Sequence, residues 1–219
     1  MKNIQEIYEK YKILPNLQEH QFRVAYVARL IGEQHKDKIN LDKLTKAALL
    51  HDMGNIIKFD LDKPIVSWKD DAEKKYWLEV QDEFRNKYGT NEHKATVIIA
   101  QEIGVGDDVV DLVDSLNFSK ACIYSKGEDY EKKILLYADC RVGPSGVVGL
   151  EDRINDFKNR YLGRKDYHSA VSDWERHGYI RCVEEIEEQL FKEQNIKPDD
   201  IKGENIAKYM TELENYPLL

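Results

Sequence analysis

The chain has 219 residues, which is enough for one domain with a sizeable hydrophobic core. Its 42% hydrophobic and 34% charged residues are typical of a folded globular protein and argue against a disordered chain. The net charge of −8 argues against non-specific binding to nucleic acids or anionic membranes, but it leaves room for a small phosphorylated substrate held by a few Lys or Arg.

Apolar residues at steps of three and four predict a helical chain. The first strong helix is predicted over residues 17–35 and the second over 41–51, where Gly54 is well suited to a left-handed C-terminal turn. Residues 56–68 are expected to form a loop across the mouth of the pocket that His51 and Asp52 face. Further helices are predicted over residues 70–88, 90–103, 107–116, 131–139, 150–162, 167–194 and 198–216.

Strand-type alternation is nearly absent, and no repeat or linker divides the chain. We therefore expect one all-α domain of eight to ten helices. Residues 1–162 are predicted to form its core, with the motifs in 17–139, and residues 163–219 a helical extension packed on the same domain. The long acidic helix in this extension makes a homodimer one expectation.

The cysteines, Cys122, Cys140 and Cys182, are odd in number and widely spaced. This pattern predicts a reduced intracellular protein. The N-terminus has no apolar signal region, and no stretch approaches the roughly 18 apolar residues that a spanning helix needs. A cytoplasmic protein without a membrane partner is expected.

Four residues with metal-binding side chains lie in or at the end of helix-patterned segments: His20, His51, Asp52 and Asp139. Imidazole and carboxylate groups from separate elements form sites for divalent metals. Each residue also has an ordinary interpretation. A lone His on an apolar helix face is usually a hydrogen-bonded interior residue, Asp52 can be a turn residue, and Asp139 can cap a turn or pair with Arg141.

The neighbouring sequence resembles the HD superfamily of metal-dependent phosphohydrolases. The resemblance rests on Leu-Gln-Glu-His20-Gln-Phe-Arg, then Ala-Leu-Leu-His51-Asp52-Met-Gly54, then Tyr-Ala-Asp139. It covers roughly residues 17–139 and implies an all-α scaffold around a divalent ion. It also implies His20, His51, Asp52 and Asp139 as the ligands, with Asp52 orienting a metal-activated water.

The chain departs from the family pattern at two places. Many relatives have Lys where this chain has Asn55, so the substrate-binding role of that position is open. Relatives with two metals have additional His ligands. His93 lies near one such position, but residues 115–119 contain no His. A single ion is therefore expected, and Mn, Fe, Co, Ni, Mg and Zn all remain candidates.

Other polar residues are candidates for substrate binding and proton transfer. Lys58 or His93 can assist the leaving group, although a solvated loop Lys and a helix-terminal His are the alternatives. Arg23, one turn after His20, is a candidate phosphate clamp, with a surface ion pair as the alternative. Arg141 is a weaker candidate. Three other histidines, His35, His168 and His177, are expected to face solvent.

The leading functional hypothesis is a phosphohydrolase that cleaves a phosphoester of a small molecule, with a nucleotide as the first candidate substrate. The alternative is a regulatory protein that binds a metal and a nucleotide-like ligand without turnover, which Asn55 slightly favours. An oxygenase with paired iron would need more His ligands than the sequence offers.

Overall fold

The computed structural model describes residues 2–62, 68–161 and 178–219, which contain eleven α-helices and one short hairpin. The helices are α1 Ile4–Lys10, α2 Pro15–Gly32, α3 Leu41–Leu50, α4 Asp71–Tyr88, α5 Glu92–Ile103, α6 Asp107–Ser115, α7 Ala121–Tyr124, α8 Tyr130–Asp139, α9 Leu150–Tyr161, α10 Tyr179–Phe191 and α11 Ala207–Glu214. The strands are β1 Val142–Gly143 and β2 Gly146–Val147, paired antiparallel. This confirms the all-α prediction.

Short polar side chains begin several of these helices. Each accepts a hydrogen bond from a backbone N–H in the first turn, which satisfies a donor that the helix itself leaves without a partner. These N-caps are Asn3, Asn40, Asp70, Asn91 and Asp129. The local sequence therefore fixes where α1, α3, α4, α5 and α8 begin.

Helix α2 lies at the centre of the molecule and packs against α3, α8 and α11. Its apolar residues, among them Val24, Val27 and Ile31, have no exposed surface. The interior of α3 is equally apolar, and Leu44, Leu49 and Leu50 are completely buried. Burial of this kind is the main favourable contribution to folding. The tight packing holds one end of α3 and one end of α8 beside the middle of α2.

The C-terminal part of the chain packs on the same helices. Helix α10 contacts α7 and α8, and α11 contacts α1 and α2. The chain ends are also joined, since the N–H of Ile4 donates to the carbonyl of Tyr216 over 3.0 Å and that of Leu218 to Lys2 over 3.1 Å. None of the helices within the described ranges is long and apolar enough to span a membrane.

Several elements differ from the prediction. Helices α1 and α7 were not expected, the break around Pro144 is a hairpin, and residues 198–216 form two 3₁₀ turns before α11 instead of one helix. His35 is buried, not solvent-facing, and its Nε2–H donates to the carbonyl of Leu190 over 2.9 Å. Burial lowers the pKa of His35. His168 and His177 lie outside the described residues.

The expectation of three reduced cysteines is also wrong. A disulfide joins Cys122 on α7 to Cys182 on α10, and Cys140 is free. The two bonded residues are 60 positions apart in the sequence. A short-range pattern cannot reveal that two helices place these cysteines side by side.

Candidate metal centre

Three elements bring the four predicted ligands together. His20 lies in the middle of α2, His51 and Asp52 directly follow α3, and Asp139 is the last residue of α8. Because α2 packs against both α3 and α8, the imidazole on α2 meets the two helix ends. We refer to His20, His51, Asp52 and Asp139 as the quartet.

Five of the six donor pairs of the quartet lie within 3.7 Å. His20 Nε2 is 3.3 Å from His51 Nε2, 3.5 Å from Asp52 Oδ2 and 3.2 Å from Asp139 Oδ1. His51 Nε2 is 3.6 Å from Asp52 Oδ2 and 3.7 Å from Asp139 Oδ1. Metal–ligand bonds of about 2.1 Å place neighbouring donors about 3.0 to 3.4 Å apart. The measured separations are close to this range. His20, His51 and Asp52 form a group whose donor atoms all lie within 4.8 Å of one another, which fits one divalent ion. Asp139 lies beside the two imidazoles as a fourth donor.

The tautomer of His51 also fits a metal ligand. Its Nδ1 lies 2.8 Å from the carbonyl oxygen of Ala48, one helical turn earlier, and that oxygen can only accept. Nδ1 therefore carries the hydrogen, and the lone pair of Nε2 points to the other quartet donors. The His51 side chain has 0% exposure, so its orientation is fixed by packing.

The electrostatics of the quartet favour a cation. Burial alone would lower the pKa of His51, but the carboxylates of Asp52 and Asp139 raise it to about 9. Burial would raise the pKa of Asp139, but hydrogen bonds to His20 and His51 hold it well below its usual range. Both shifts have the same cause, because two partly buried carboxylates stabilise positive charge on the imidazoles between them.

Two contacts hold the turn that carries His51 and Asp52. The backbone N–H of Asp52 donates to Gln21 Oε1 over 3.2 Å, which ties the turn to α2. The N–H of Gly54 donates to Thr96 Oγ1 over 2.9 Å, which ties it to α5. Gly54 has φ −92°, so it does not form the left-handed turn that was predicted. Its small size matters instead, because a Cβ there would lie 2.4 Å from the carbonyl oxygen of Glu92.

A cavity of about 340 Å³ opens beside the quartet. Its walls come from the turn after α3, the first turn of α5, the segment after α6, and α8. The lining residues are His51, Asp52, Asn55, Lys58, Glu92, His93, Thr96, Leu116, Asn117, Phe118, Leu136 and Asp139. Sequence reasoning missed Glu92, Thr96 and the wall that Leu116, Asn117 and Phe118 form. Glu92 and Thr96 lie close to His93 in the sequence of α5, and this proximity could have indicated them as cavity residues. No sequence feature indicated the wall.

Two of the candidate residues in the cavity wall, Lys58 and His93, have a charged partner. Lys58 Nζ lies 3.7 Å from Glu92 Oε1. His93 Nε2 lies 3.1 Å from both the carbonyl oxygen and Oδ1 of Asp114. Asn55 is buried at the start of a 3₁₀ turn that ends at Lys58. Asn55, Lys58 and His93 thus share one cavity with the quartet.

The two candidate arginines lie elsewhere. Arg23 pairs with Glu19 on its own helix and lines a second cavity of about 330 Å³, formed with the hairpin and residues 202–206. Arg141 is buried, and its guanidinium donates to the carbonyls of Val148, Pro198 and Ile201. This corrects the expected substrate-binding role of Arg141, because its hydrogen bonds are used inside the fold.

Comparison with protein-family models gives a match to the model described as "HD domain" over residues 17–140. The matched segment contains all four quartet residues and all of the residues that line the cavity. No curated protein and no solved structure matches the chain significantly.

Proposed function

The chain belongs to the HD domain family, and from this premise we propose that it is a phosphohydrolase that uses one divalent ion to cleave a phosphoester of a small molecule. HD domains bind divalent metals, and the family consists mostly of hydrolases. The observation that carries the proposal is the convergence of two imidazoles and two carboxylates beside one cavity.

His20, His51, Asp52 and Asp139 hold the ion in this proposal. A bound divalent ion lowers the pKa of coordinated water and polarises a phosphoryl oxygen. Asp52 lies at the boundary between the quartet and the cavity, where its carboxylate orients the attacking water by accepting a hydrogen bond. Gln21 and Thr96 support this role, since their hydrogen bonds fix the backbone on either side of Asp52.

The cavity favours a small substrate. Its volume is at the lower end of the roughly 300–1,000 Å³ found for ligand pockets. The side-chain amides of Asn55 and Asn117 can donate to phosphoryl oxygens, and Leu116 and Phe118 offer an apolar surface for the rest of the molecule. A nucleoside monophosphate combines one phosphate with a flat, partly apolar group, which makes a nucleotide the first candidate.

Metal content and phosphate release test this function together. The purified protein is analysed for bound metals, and phosphate release from nucleotides and simple phosphoesters is measured with Mn, Co, Ni, Mg, Fe or Zn added. We expect about one ion per chain and metal-dependent release from at least one ester. Asp52→Asn should lower release by at least about 100-fold, because a metal ligand and a water-orienting carboxylate are lost together. The matched control Asp37→Asn removes an exposed carboxylate far from the quartet and should change neither measurement.

The same experiment separates the second candidate function, a regulatory protein that binds metal and ligand without turnover. Asn55 favours the regulatory function, because its uncharged amide cannot neutralise the negative charge of a phosphate. Full metal occupancy without release from any ester would replace the hydrolase proposal with the regulatory one. Unchanged metal content in Asp52→Asn would overturn the ligand assignment itself.

A further inference from the structure

We propose that His93 donates the proton to the leaving group and that Asp114 is the positioning residue that holds it for this task. The inference rests on the proposed hydrolase function. It assigns a role to Asp114, which lies outside the cavity lining and near the end of α6.

The contact between the two residues determines which imidazole nitrogen transfers a proton. His93 Nε2 lies 3.1 Å from Asp114 Oδ1 and 3.1 Å from the Asp114 carbonyl oxygen. Neither oxygen can donate a hydrogen to it when the carboxylate is ionised, so Nε2 keeps its hydrogen in both protonation states of the ring. Nδ1 is therefore the nitrogen that gains and loses a proton. In the described part of the chain, His93 makes no hydrogen bond through Nδ1.

His93 is the cavity-lining group best suited to donate a proton near neutral pH. Outside the quartet, the described titratable residues of the lining are Lys58, Glu92 and His93. Lys58 and Glu92 face each other across 3.7 Å. An ammonium ordinarily keeps its proton to about pH 10 and a carboxyl group loses it near pH 4, whereas an imidazole changes charge near pH 6.5. Proton donation is most efficient when the donor titrates near the working pH.

The charges around His93 come from three elements. Asp114 faces it from α6, Glu92 precedes it on α5, and Lys58 approaches from the 3₁₀ turn. The quartet carboxylates line the same cavity on the other side. Asp114 contacts His93 directly over 3.1 Å, so its carboxylate fixes the ring at Nε2.

The proposed step conserves atoms and protons. The oxygen of water forms the new bond to phosphorus and that water releases one proton to solvent, while the bond from phosphorus to the leaving oxygen breaks. The Nδ1 proton of the imidazolium passes to that leaving oxygen, which departs as an alcohol. His93 is then neutral, still donates Nε2–H to Asp114, and regains its Nδ1 proton from solvent.

Leaving-group dependence tests the proposal, since a good leaving group needs no proton. We expect His93→Gln to slow hydrolysis of an alkyl phosphoester by about 100-fold or more, and hydrolysis of p-nitrophenyl phosphate by less than about 5-fold. Asp114→Asn should slow the alkyl ester by about 10-fold and p-nitrophenyl phosphate by less than about 3-fold, because the ring is no longer held in place to donate its proton. The matched control Asp111→Asn removes an exposed carboxylate from the same helix and should leave both rates unchanged.

NMR of the His93 ring nitrogens provides a readout that does not need turnover. The neutral ring of the wild type should carry its hydrogen on Nε2, and Asp114→Asn should weaken that preference whereas Asp111→Asn should leave it unchanged. Equal losses on both esters, or a hydrogen distribution on the His93 ring that is the same in Asp114→Asn and wild type, would overturn the role of this pair alone. If the wild-type protein hydrolysed neither ester, the hydrolase function would fail, and the proton-donor role with it.

Discussion

Gly54 lies where the turn after α3 comes closest to α5, and its lack of a side chain makes that approach possible. An added Cβ would lie 2.4 Å from the carbonyl oxygen of Glu92 and 2.8 Å from the backbone nitrogen of Thr96. Both are backbone atoms, which cannot move aside as a flexible side chain can. Gly54 thus sets the distance between the turn that carries Asp52 and helix α5.

Gly54→Ala is expected to lower the free energy of unfolding by about 1–3 kcal/mol, because the methyl group forces the turn and α5 apart. The same displacement should weaken metal binding, since Asp52 moves with the turn. Thermal unfolding and metal titration measure the two effects. Gly127→Ala is the matched control, because a Cβ there meets its nearest atom at an ordinary 3.5 Å. Equal stability and metal affinity in both variants would contradict this account of Gly54.

The resemblance of the neighbouring sequence to the HD superfamily grouped the quartet residues, and the fold brings their side chains together. An Asp at the end of an apolar run, such as Asp139, is also expensive to bury without a partner, so its local context indicates a special role. His35 and Arg141 gave no such signal. Their partners, Leu190 and Ile201, are 155 and 60 residues away in the sequence. Only the assembled fold shows that these two side chains are internal.

Arg141 connects three elements of the fold at one point. Its guanidinium hydrogen-bonds Val148 after the hairpin, Pro198 and Ile201 in the C-terminal segment, and the hydroxyl of Tyr137 on α8. That hydroxyl in turn donates to Glu187 on α10. Two-residue strands and a three-residue 3₁₀ turn are too short to produce a periodic pattern, so the sequence could not predict this junction. The long helices α2 and α4 had clear periodicity and were predicted to within a few residues.

Arg141→Met is expected to lower the free energy of unfolding by about 2–4 kcal/mol, because it leaves buried carbonyls and the Tyr137 hydroxyl without their donor. Metal content and phosphate release per folded molecule should stay near wild type. Urea unfolding with metal analysis measures both. Arg181→Met removes an arginine whose side chain is 83% exposed on α10 and should leave stability nearly unchanged. A selective loss of substrate affinity in a stable Arg141→Met protein would restore the substrate-binding role.

At the scale of the whole molecule, the C-terminal helices complete the site although they supply none of its lining residues in the described chain. Phe118 of the cavity wall packs edge-on against Tyr179 at the start of α10, with ring centroids 6.1 Å apart. The Cys122–Cys182 disulfide fixes the same two segments together three to four residues further along each. The wall formed by Leu116, Asn117 and Phe118 therefore depends on α10 for its position.

Reduction of this disulfide is expected to lower the free energy of unfolding by about 2–4 kcal/mol, because the bond closes a long loop and limits the unfolded chain. KM should rise as the cavity wall loses its support, while metal content stays constant because the quartet lies on α2, α3 and α8. Thermal unfolding with and without dithiothreitol measures the first effect, and alkylation counted by mass spectrometry should find one reactive thiol before reduction and three after it in the denatured protein.

The double variant Cys122→Ser, Cys182→Ser is the control, since its stability should match the reduced protein and should not respond to dithiothreitol. Three reactive thiols in the unreduced protein would show that the bond does not form in solution. A bond that forms but leaves stability and KM unchanged on reduction would mean that packing of Tyr179 against Phe118 is sufficient to hold the wall. The comparison thus separates the contribution of the covalent link from that of the helix contact beneath it.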